Sequence, residues 1–431
     1  MKEYLTIFWF RRDLRLDDNT ALYYALQNQN VLPIFIFDTE ILEDIHDKTD
    51  PRVSFIYDEL MKLDTLLKKA ASSLKIEYGK PLEVFKSLIE NFSINKVYCN
   101  EDYEPYTIKR DVEIRNFLNQ NNIEFNSYKD HIIFHPNEIL KSDQKPYTIY
   151  TPYSKKWKEK FVQTEIKIYE SENFLGNFYT THFDFPTRTK IGFSESKIKV
   201  KPINYNTNIL KNYHLYRDYP SQNFTTNASP HVRFGTVSIR KLIQYFSKIN
   251  EILLNEFIWR EFFIQILFHF PNVVQNSFKA KYDNIPWINN EDHLQKWKEG
   301  NTGYPIVDAG MRELNETGYM HNRVRMITAS FLCKHLLCDW RIGEAYFAEK
   351  LLDFELASNN GNWQWSSGSG CDSAPYFRVF NPSIQTEKFD KELNYCNFWV
   401  KNLNEMDYPN PIVNHDFARK RAIEVYKKAL Q

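Results

Sequence analysis

Apolar residues in the first third of the chain come in short unbroken runs separated by amphipathic stretches. Leu5–Phe10 and Val31–Phe37 are apolar at almost every position, the pattern of parallel strands buried on both faces. Between them Asn19–Leu26 reads as a helix, which completes a βαβ unit. Ser54–Ala70 sets Phe55, Leu60, Leu63 and Leu67 close to helical spacing. Lys96–Cys99 and Ile123–Tyr128 supply further strands around a helix over Ile108–Leu118. The pattern predicts an α/β domain over residues 1–130, a doubly wound, Rossmann-like parallel sheet. The segment has no G-x-G-x-x-G, so the dinucleotide fingerprint is absent from it.

Periodicity fades over residues 131–205, where His135-Pro136, Thr151-Pro152, Pro186 and Pro202 interrupt polar sequence. This stretch reads as an inter-domain connection with one short helix near Ser154–Val162. From 206 to 431 strand signals largely disappear, and helical patterns dominate from Ile239 to Phe354. The second domain is therefore expected to be mainly α-helical. No internal repeat or low-complexity tract is visible.

Length and composition agree with two domains, since 431 residues exceed what one core usually holds. The formal net charge of zero argues against a nucleic-acid partner if taken over the whole chain. Its distribution softens that argument. Residues 1–130 carry 17 Lys and Arg against 23 Asp and Glu, so the first segment is acidic by six and the rest basic by six. Five cysteines without a C-x-x-C pair read as reduced thiols, with no disulfide frame and no metal site. MKEYLTIFWF runs straight into RRDLR without a signal-peptide pattern. No apolar run is long enough to span a bilayer, and a soluble, cytoplasmic protein is expected.

Several polar constellations sit inside otherwise apolar helices. In LLNEFIWREFFIQILFH, residues 253–269, Glu256, Trp259, Arg260 and Phe263 share one face. An exposed ion pair with an incidental Trp is the plain alternative, but Phe257, Phe262, Ile264 and Leu267 leave little of this helix for solvent. Near 319–336, Asn322, Arg325, Met326 and Ala329 share a face that suits a ligand-cavity wall. Val324, Ile327 and Phe331 on another face read as core, and Arg325 can pair with Asp353. Thr225, Thr226 and Ser229 offer hydroxyls before a helix opening at Ser229-Pro230, either as an anion site or as an ordinary N-cap. NNGNWQWSSGSGCDSAPYFRVFNP, residues 359–382, reads as an irregular, glycine-rich segment carrying Trp363 and Trp365. Seven of nine tryptophans follow residue 250. Cores do not need indoles, so the clustering suggests stacking on flat rings or redox chemistry.

That last segment resembles the flavin-binding region of the DNA photolyase/cryptochrome family. So do WREFF at 259–263, GNTGYPIVDAGMREL at 300–314 and GYMHNRVRMITASF at 318–331. FWFRRDLRLDDNTAL at 8–22 is similar to the family's opening, so the likeness covers nearly the whole chain in order. The resemblance implies FAD as cofactor, held by Tyr213, Thr225, Thr226, Asn227, Ala228, Ser229, Arg260, Arg325, Asp353, Phe354, Glu355 and Asn359. Asn227 and Ala228 depart from the Thr-Ser-x-Leu-Ser pattern common in relatives. Asn359 falls beside flavin N5, where an amide can accept or donate a hydrogen bond. Trp363, Trp340 and Trp287 match the family's electron-transfer chain. The family also places an antenna chromophore, a folate, deazaflavin or other flavin, in or beside the α/β domain. Glu104 lies near a position that can contact a folate, and no identity is assigned to the antenna.

Glu256, Trp259, Asn322, Met326 and Trp365 match the pocket for a cyclobutane pyrimidine dimer, with Glu256 and Asn359 as the catalytic pair. Only one histidine occurs in Met320-His321-Asn322-Arg323, where (6-4) photolyases carry a pair, which favours the cyclobutane-dimer branch. The expected function is blue-light repair of UV-damaged DNA, by electron transfer from reduced FAD to a flipped-out lesion, in a monomer without an obligate protein partner. A cryptochrome-like receptor is the first alternative, disfavoured by the retained Glu256. A light-independent single-stranded nucleic-acid binder is a more remote one.

Overall fold

The structure is a computed structural model and describes residues 4–222 and 224–431. Contacts divide the chain into two compact units, one of Met1–Glu138, Glu159–Ile203 and Asn227–Lys248, the other of Ile139–Lys158, Asn204–Thr226 and Ile249–Gln431. Residues 131–205, read from the sequence as a connection, are thus shared between the units, and 227–248 join the first.

The first unit is built on five parallel strands: β1 (Leu5–Phe10), β2 (Val31–Asp38), β3 (Lys75–Gly79), β4 (Ile94–Asn100) and β5 (Glu124–Tyr128), in the order β3-β2-β1-β4-β5. Every residue of β1 and β2 is buried, as the apolar runs require. Alternation sorts the side chains onto two faces. Phe8, Phe10, Phe35 and Phe37 enter the core with the helix Pro51–Lys69, while Ile7, Trp9, Ile34 and Ile36 pack with the helices Pro81–Asn91 and Pro105–Gln120. The doubly wound α/β reading therefore holds. β3 and the helix after it had no counterpart in the sequence reading. β3 is an edge strand, KIEYG, with no fully buried residue, so its hydrophobic pattern is faint.

A buried ion network closes this unit. Asp130 accepts from Arg15 at 2.6 Å and Arg240 at 2.9 Å, and Arg240 also reaches Asp18 at 2.9 Å. Burial works to raise the Asp130 pKa, but Arg15 and Arg240 outweigh it and hold the carboxyl below its ordinary range. Arg240 belongs to the helix Ile239–Phe246, and its pairing explains why that segment clusters with the sheet. Glu104 pairs with Arg12 and Arg233, each at 3.5 Å.

The second unit is helical, as expected. Its main core gathers Trp297, Met311, Val324, Phe331, Trp340, Phe347 and Trp363. The principal helices are Glu251–His269, Pro305–Thr317, Asn322–Ser330, Trp340–Lys350 and Leu356–Ser367. The helix Asn322–Ser330 runs into a π-helical turn, Phe331–His335. The segment read as irregular around Trp363 is instead helical from Leu356 to Ser367. Its glycine is there for space: a Cβ on Gly361 would lie 2.1 Å from a Phe263 ring carbon. No helix among the described residues is long and apolar enough to cross a membrane.

Candidate active site

An open cavity in the helical unit holds about 570 Å³ of empty volume, the solvent at its mouth included. Its wall brings together ten of the residues singled out from sequence: Asn322, Arg325, Met326, Ala329, Asp353, Phe354, Glu355, Asn359, Trp363 and Trp365. Phe347, Leu351, Ser358, Asn362 and Ser366 also line it and were missed. A signal for two of them existed, because Trp340, Gly343, Phe347 and Leu351 recur at helical spacing.

The helix Asn322–Ser330 presents Asn322, Arg325, Met326 and Ala329 to this cavity and buries Val324 and Ile327 on the other side. His321 starts that helix by accepting from Arg323 N–H through Nδ1 at 3.2 Å. Burial lowers its pKa to about 4, so the ring is neutral and can act as a cap acceptor at neutral pH. Arg325 meets Asp353 at 3.0 Å and donates to the Met320 carbonyl at 2.8 Å, which realises the pairing read from sequence.

Asn359 is buried on the helix Leu356–Ser367. Its amide nitrogen donates to Glu344, to the backbone oxygen at 3.0 Å and to Oε1 at 2.8 Å. Two oxygen partners fix the amide's orientation. The Asn359 Oδ1 is then the atom left to serve a ligand. Burial raises the Glu344 pKa, against the opposing hydrogen bond from Asn359.

The helix Glu251–His269 supplies three more residues. Arg260 pairs with Glu355 at 2.8 Å, which ties this helix to the cavity wall. Glu256 is half-buried and pairs with Arg217. Burial raises its pKa and Arg217 opposes the rise. Trp259 is half-buried and stacks face to face with Tyr150, ring centroids 3.5 Å apart at 5°. Glu256, Trp259 and Arg260 are not on the cavity wall itself. Tyr213, on the helix Thr207–Tyr216, lies under the Arg217 guanidinium at 5.5 Å. Its phenol pKa is raised by burial and then by Glu256.

Thr225 and Thr226 lie outside helix and strand in the second unit, and the Thr226 carbonyl accepts from Asn204 N–H at 2.8 Å. Asn227 takes left-handed backbone, φ 52°, directly before the helix Ala228–Phe234 of the first unit, where Ser229 is the second residue. Asn tolerates that conformation better than most residues. Its departure from the family pattern therefore suits the local backbone.

Trp363 makes edge contacts with Phe347 at 4.9 Å and Trp297 at 6.2 Å. Trp340 is buried, and its indole N–H has no hydrogen-bond partner among the described residues. Trp287 is partly buried against Tyr426 at 5.9 Å.

A family model described as the FAD binding domain of DNA photolyase matches residues 253–407, and one described as DNA photolyase matches residues 6–169. The deoxyribodipyrimidine photo-lyase of Halobacterium salinarum is 32% identical, covering 99% of both chains. That of Escherichia coli is 33% identical, covering 98% of both. The chain belongs to the DNA photolyase family. The archaeal photolyase of Sulfolobus tokodaii, crystallised with two FAD molecules, superposes with a TM-score of 0.86 at 36% identity, over 98% of this chain and 100% of that one. The match to the photolyase FAD-binding domain encloses every cavity residue.

The donor set fits a flavin. A planar, mostly apolar ring system needs apolar walls with a few convergent polar groups, and Met326, Phe347, Leu351 and Phe354 alternate here with Arg325–Asp353 and Asn359.

Proposed function

We propose that this protein is a deoxyribodipyrimidine photo-lyase that repairs cyclobutane pyrimidine dimers in UV-damaged DNA, with FAD in the cavity of the helical unit. One observation carries the reading. The cavity converges an ion pair, an oriented amide and two tryptophans in a chain that aligns end to end with curated photo-lyases. Bound FAD in its reduced form supplies the light-excited electron donor. Splitting the cyclobutane ring breaks two carbon–carbon bonds and leaves no net redox change, so the enzyme is a lyase.

The chain's own groups prepare that chemistry. Asn359 Oδ1 is positioned to accept a hydrogen bond from a ring N–H of the cofactor, because Glu344 already takes its amide hydrogens. The Arg325–Asp353 pair brings a cation held by a carboxylate to the same wall, and Arg260–Glu355 braces the helix that carries the lesion-binding face. Tyr213, Thr225 and Thr226 are the further contacts assigned to the dinucleotide. Trp259 and Trp365 stack on the flipped-out bases, a contact of roughly 1–3 kcal/mol per base. Asn322 and Met326 line the pocket, and Glu256 hydrogen-bonds the pyrimidine edge. A dimer flips more cheaply than sound bases because it is already poorly stacked. Trp363, Trp340 and Trp287 carry electrons inward for photoreduction of the cofactor.

The test is loss of thymine dimers from an oligonucleotide incubated with reduced protein, with and without blue light. Light-dependent loss is expected. No loss despite bound, reducible FAD would refute the repair reading. Denaturing the protein and separating the released chromophores counts whether an antenna accompanies FAD.

A further inference from the structure

The Tyr150–Trp259 stack joins two rings 109 residues apart along the chain. Aromatic pairs left to themselves prefer offset or edge-on geometries, with centroids 4.5–7 Å apart. Here the rings lie parallel at 5° with centroids 3.5 Å apart. Anchors at both ends of Tyr150 hold the ring in place. Its backbone N–H donates to Asp372 Oδ2 at 2.8 Å, and its hydroxyl donates to the Asn255 carbonyl at 3.2 Å, on the same helix as Trp259. Phe262 closes the edge of both rings, at 5.8 Å from Tyr150 and 5.7 Å from Trp259. Phe263 tilts against Trp259 at 5.6 Å. Trp259 nevertheless stays half-buried, so part of its ring remains accessible. The Tyr150 phenol has its pKa raised first by burial and next by the Glu256 carboxylate. Tyr150 therefore lies near both Glu256 and Trp259.

We propose that Tyr150 is a positioning residue of the lesion pocket: it covers one face of Trp259 and fixes the indole so that its remaining surface receives the flipped-out base. An indole on the half-buried face of a helix has rotamers to lose on binding. A ring already clamped by a second ring has lost them beforehand, and such preorganisation converts to affinity. Asp372 and Asn255 set the clamp, so the segment opening the helix Tyr150–Gln163 is coupled to recognition without touching the reacting atoms. This inference rests on the proposed photo-lyase reading, in which Trp259 stacks on the lesion.

The experiment compares dark binding of a thymine-dimer oligonucleotide and its undamaged counterpart by wild type, Tyr150→Ala, Tyr150→Phe and Trp259→Ala, all as FAD-loaded protein. Tyr150→Ala is expected to lose roughly tenfold or more in preference for the damaged strand, by analogy with the loss of a stacking ring. Tyr150→Phe should stay within about twofold of wild type, since the ring rather than the hydroxyl does the covering. Repair per photon absorbed, measured at saturating substrate, is expected to fall by a smaller factor in Tyr150→Ala than the dark-binding preference does, because the residue acts through the indole it clamps and not on the reacting atoms. A general folding defect would instead lower FAD content, and the flavin absorbance per chain reads that directly. Undiminished preference in Tyr150→Ala alongside a loss in Trp259→Ala overturns the proposal and leaves the lesion pocket standing. Tighter binding by Tyr150→Ala also overturns it, since Tyr150 would then be occupying the lesion's own stacking face. Undiminished preference in Trp259→Ala overturns the pocket reading and this inference with it.

Discussion

Asn359 gives the hydrogens of its amide nitrogen to Glu344, one to the backbone oxygen at 3.0 Å and one to Oε1 at 2.8 Å. The residue is buried on one helix and its partner sits on the preceding one, so the amide cannot turn over without losing both bonds. Replacing Asn359 by Asp removes the donor and sets a second carboxyl against Glu344, whose pKa burial already raises. Like charges at such a site are costly. Asn359→Asp is expected to retain at least tenfold less FAD at pH 7, read as flavin absorbance per chain after gel filtration. Adding Glu344→Gln should restore much of it. Equal loss in the single and double variants would show that the two residues do not act as a pair.

Glu256 and Arg217 form the corresponding pair on the proposed substrate side. Burial raises the Glu256 pKa, and Arg217 is the opposing influence. Arg217→Ala removes that opposition, so the carboxyl should protonate at a higher pH than in wild type. The pH profile of dark lesion binding between pH 4 and 8 is expected to move upward in Arg217→Ala and to flatten in Glu256→Gln. A profile that stays in place in Arg217→Ala would separate the titration from Glu256.

Much of this could be read from residue order, for identifiable reasons. β1 and β2 announce themselves because both faces are buried and every position must be apolar. The wall formed by Asn322, Arg325, Met326 and Ala329 was visible because polar side chains at helical spacing inside an apolar helix imply a ligand. Three things were hidden. The edge strand β3 half-exposes its side chains and so loses its signature. The helix Leu356–Ser367 was masked by asparagine, glycine and serine, which are poor helix formers, although Gly361 is required here for close packing against Phe263. Tyr150, Arg217 and Glu344 reach the site from segments 109, 39 and 15 residues away from their partners Trp259, Glu256 and Asn359 along the chain. Pairings at such separations leave no trace in local periodicity.

The imidazoles of His335 and His415 share a hydrogen bond at 2.8 Å, joining the π-helical turn to the helix His415–Leu430. Burial lowers the His335 pKa to about 3, with His415 and Arg421 acting in the same direction. The folded pKa is thus below the ordinary value of about 6.5. Above pH 6.5 neither folded nor unfolded chain carries this proton, and the pair contributes in full. As pH falls from 6.5 toward 3, the unfolded chain binds the proton first, and stability drops by up to about 1.4 kcal/mol per pH unit. Urea midpoints should therefore fall between pH 7.5 and 5. His335→Phe is expected to start about 1 kcal/mol lower at pH 7.5 through the lost hydrogen bond, but to lose less on acidification. Parallel curves for the two proteins would exclude His335 as the titrating group.

Gly343 determines how closely the helix carrying Trp340 approaches Trp363. It lies one turn beyond Trp340 on the same helix face. A Cβ at this position would sit 2.2 Å from Cη2 of Trp363 and 2.5 Å from Leu332 Cδ2. The bare Cα lets the indole rest directly on the helix, beside the face that bears Trp340. Gly343→Ala must push the two apart, at a cost of about 1–3 kcal/mol for overpacking. If Trp363 and Trp340 relay electrons, that displacement slows photoreduction of bound, oxidised FAD by at least tenfold. Dimer repair by protein reduced chemically beforehand should change less than twofold, because that reaction bypasses the relay. Trp363→Phe provides the reference, with photoreduction abolished and repair by pre-reduced protein kept. Photoreduction at the wild-type rate in Trp363→Phe would remove Trp363 from the path. A loss in Trp363→Phe without one in Gly343→Ala would show that the relay tolerates the displacement.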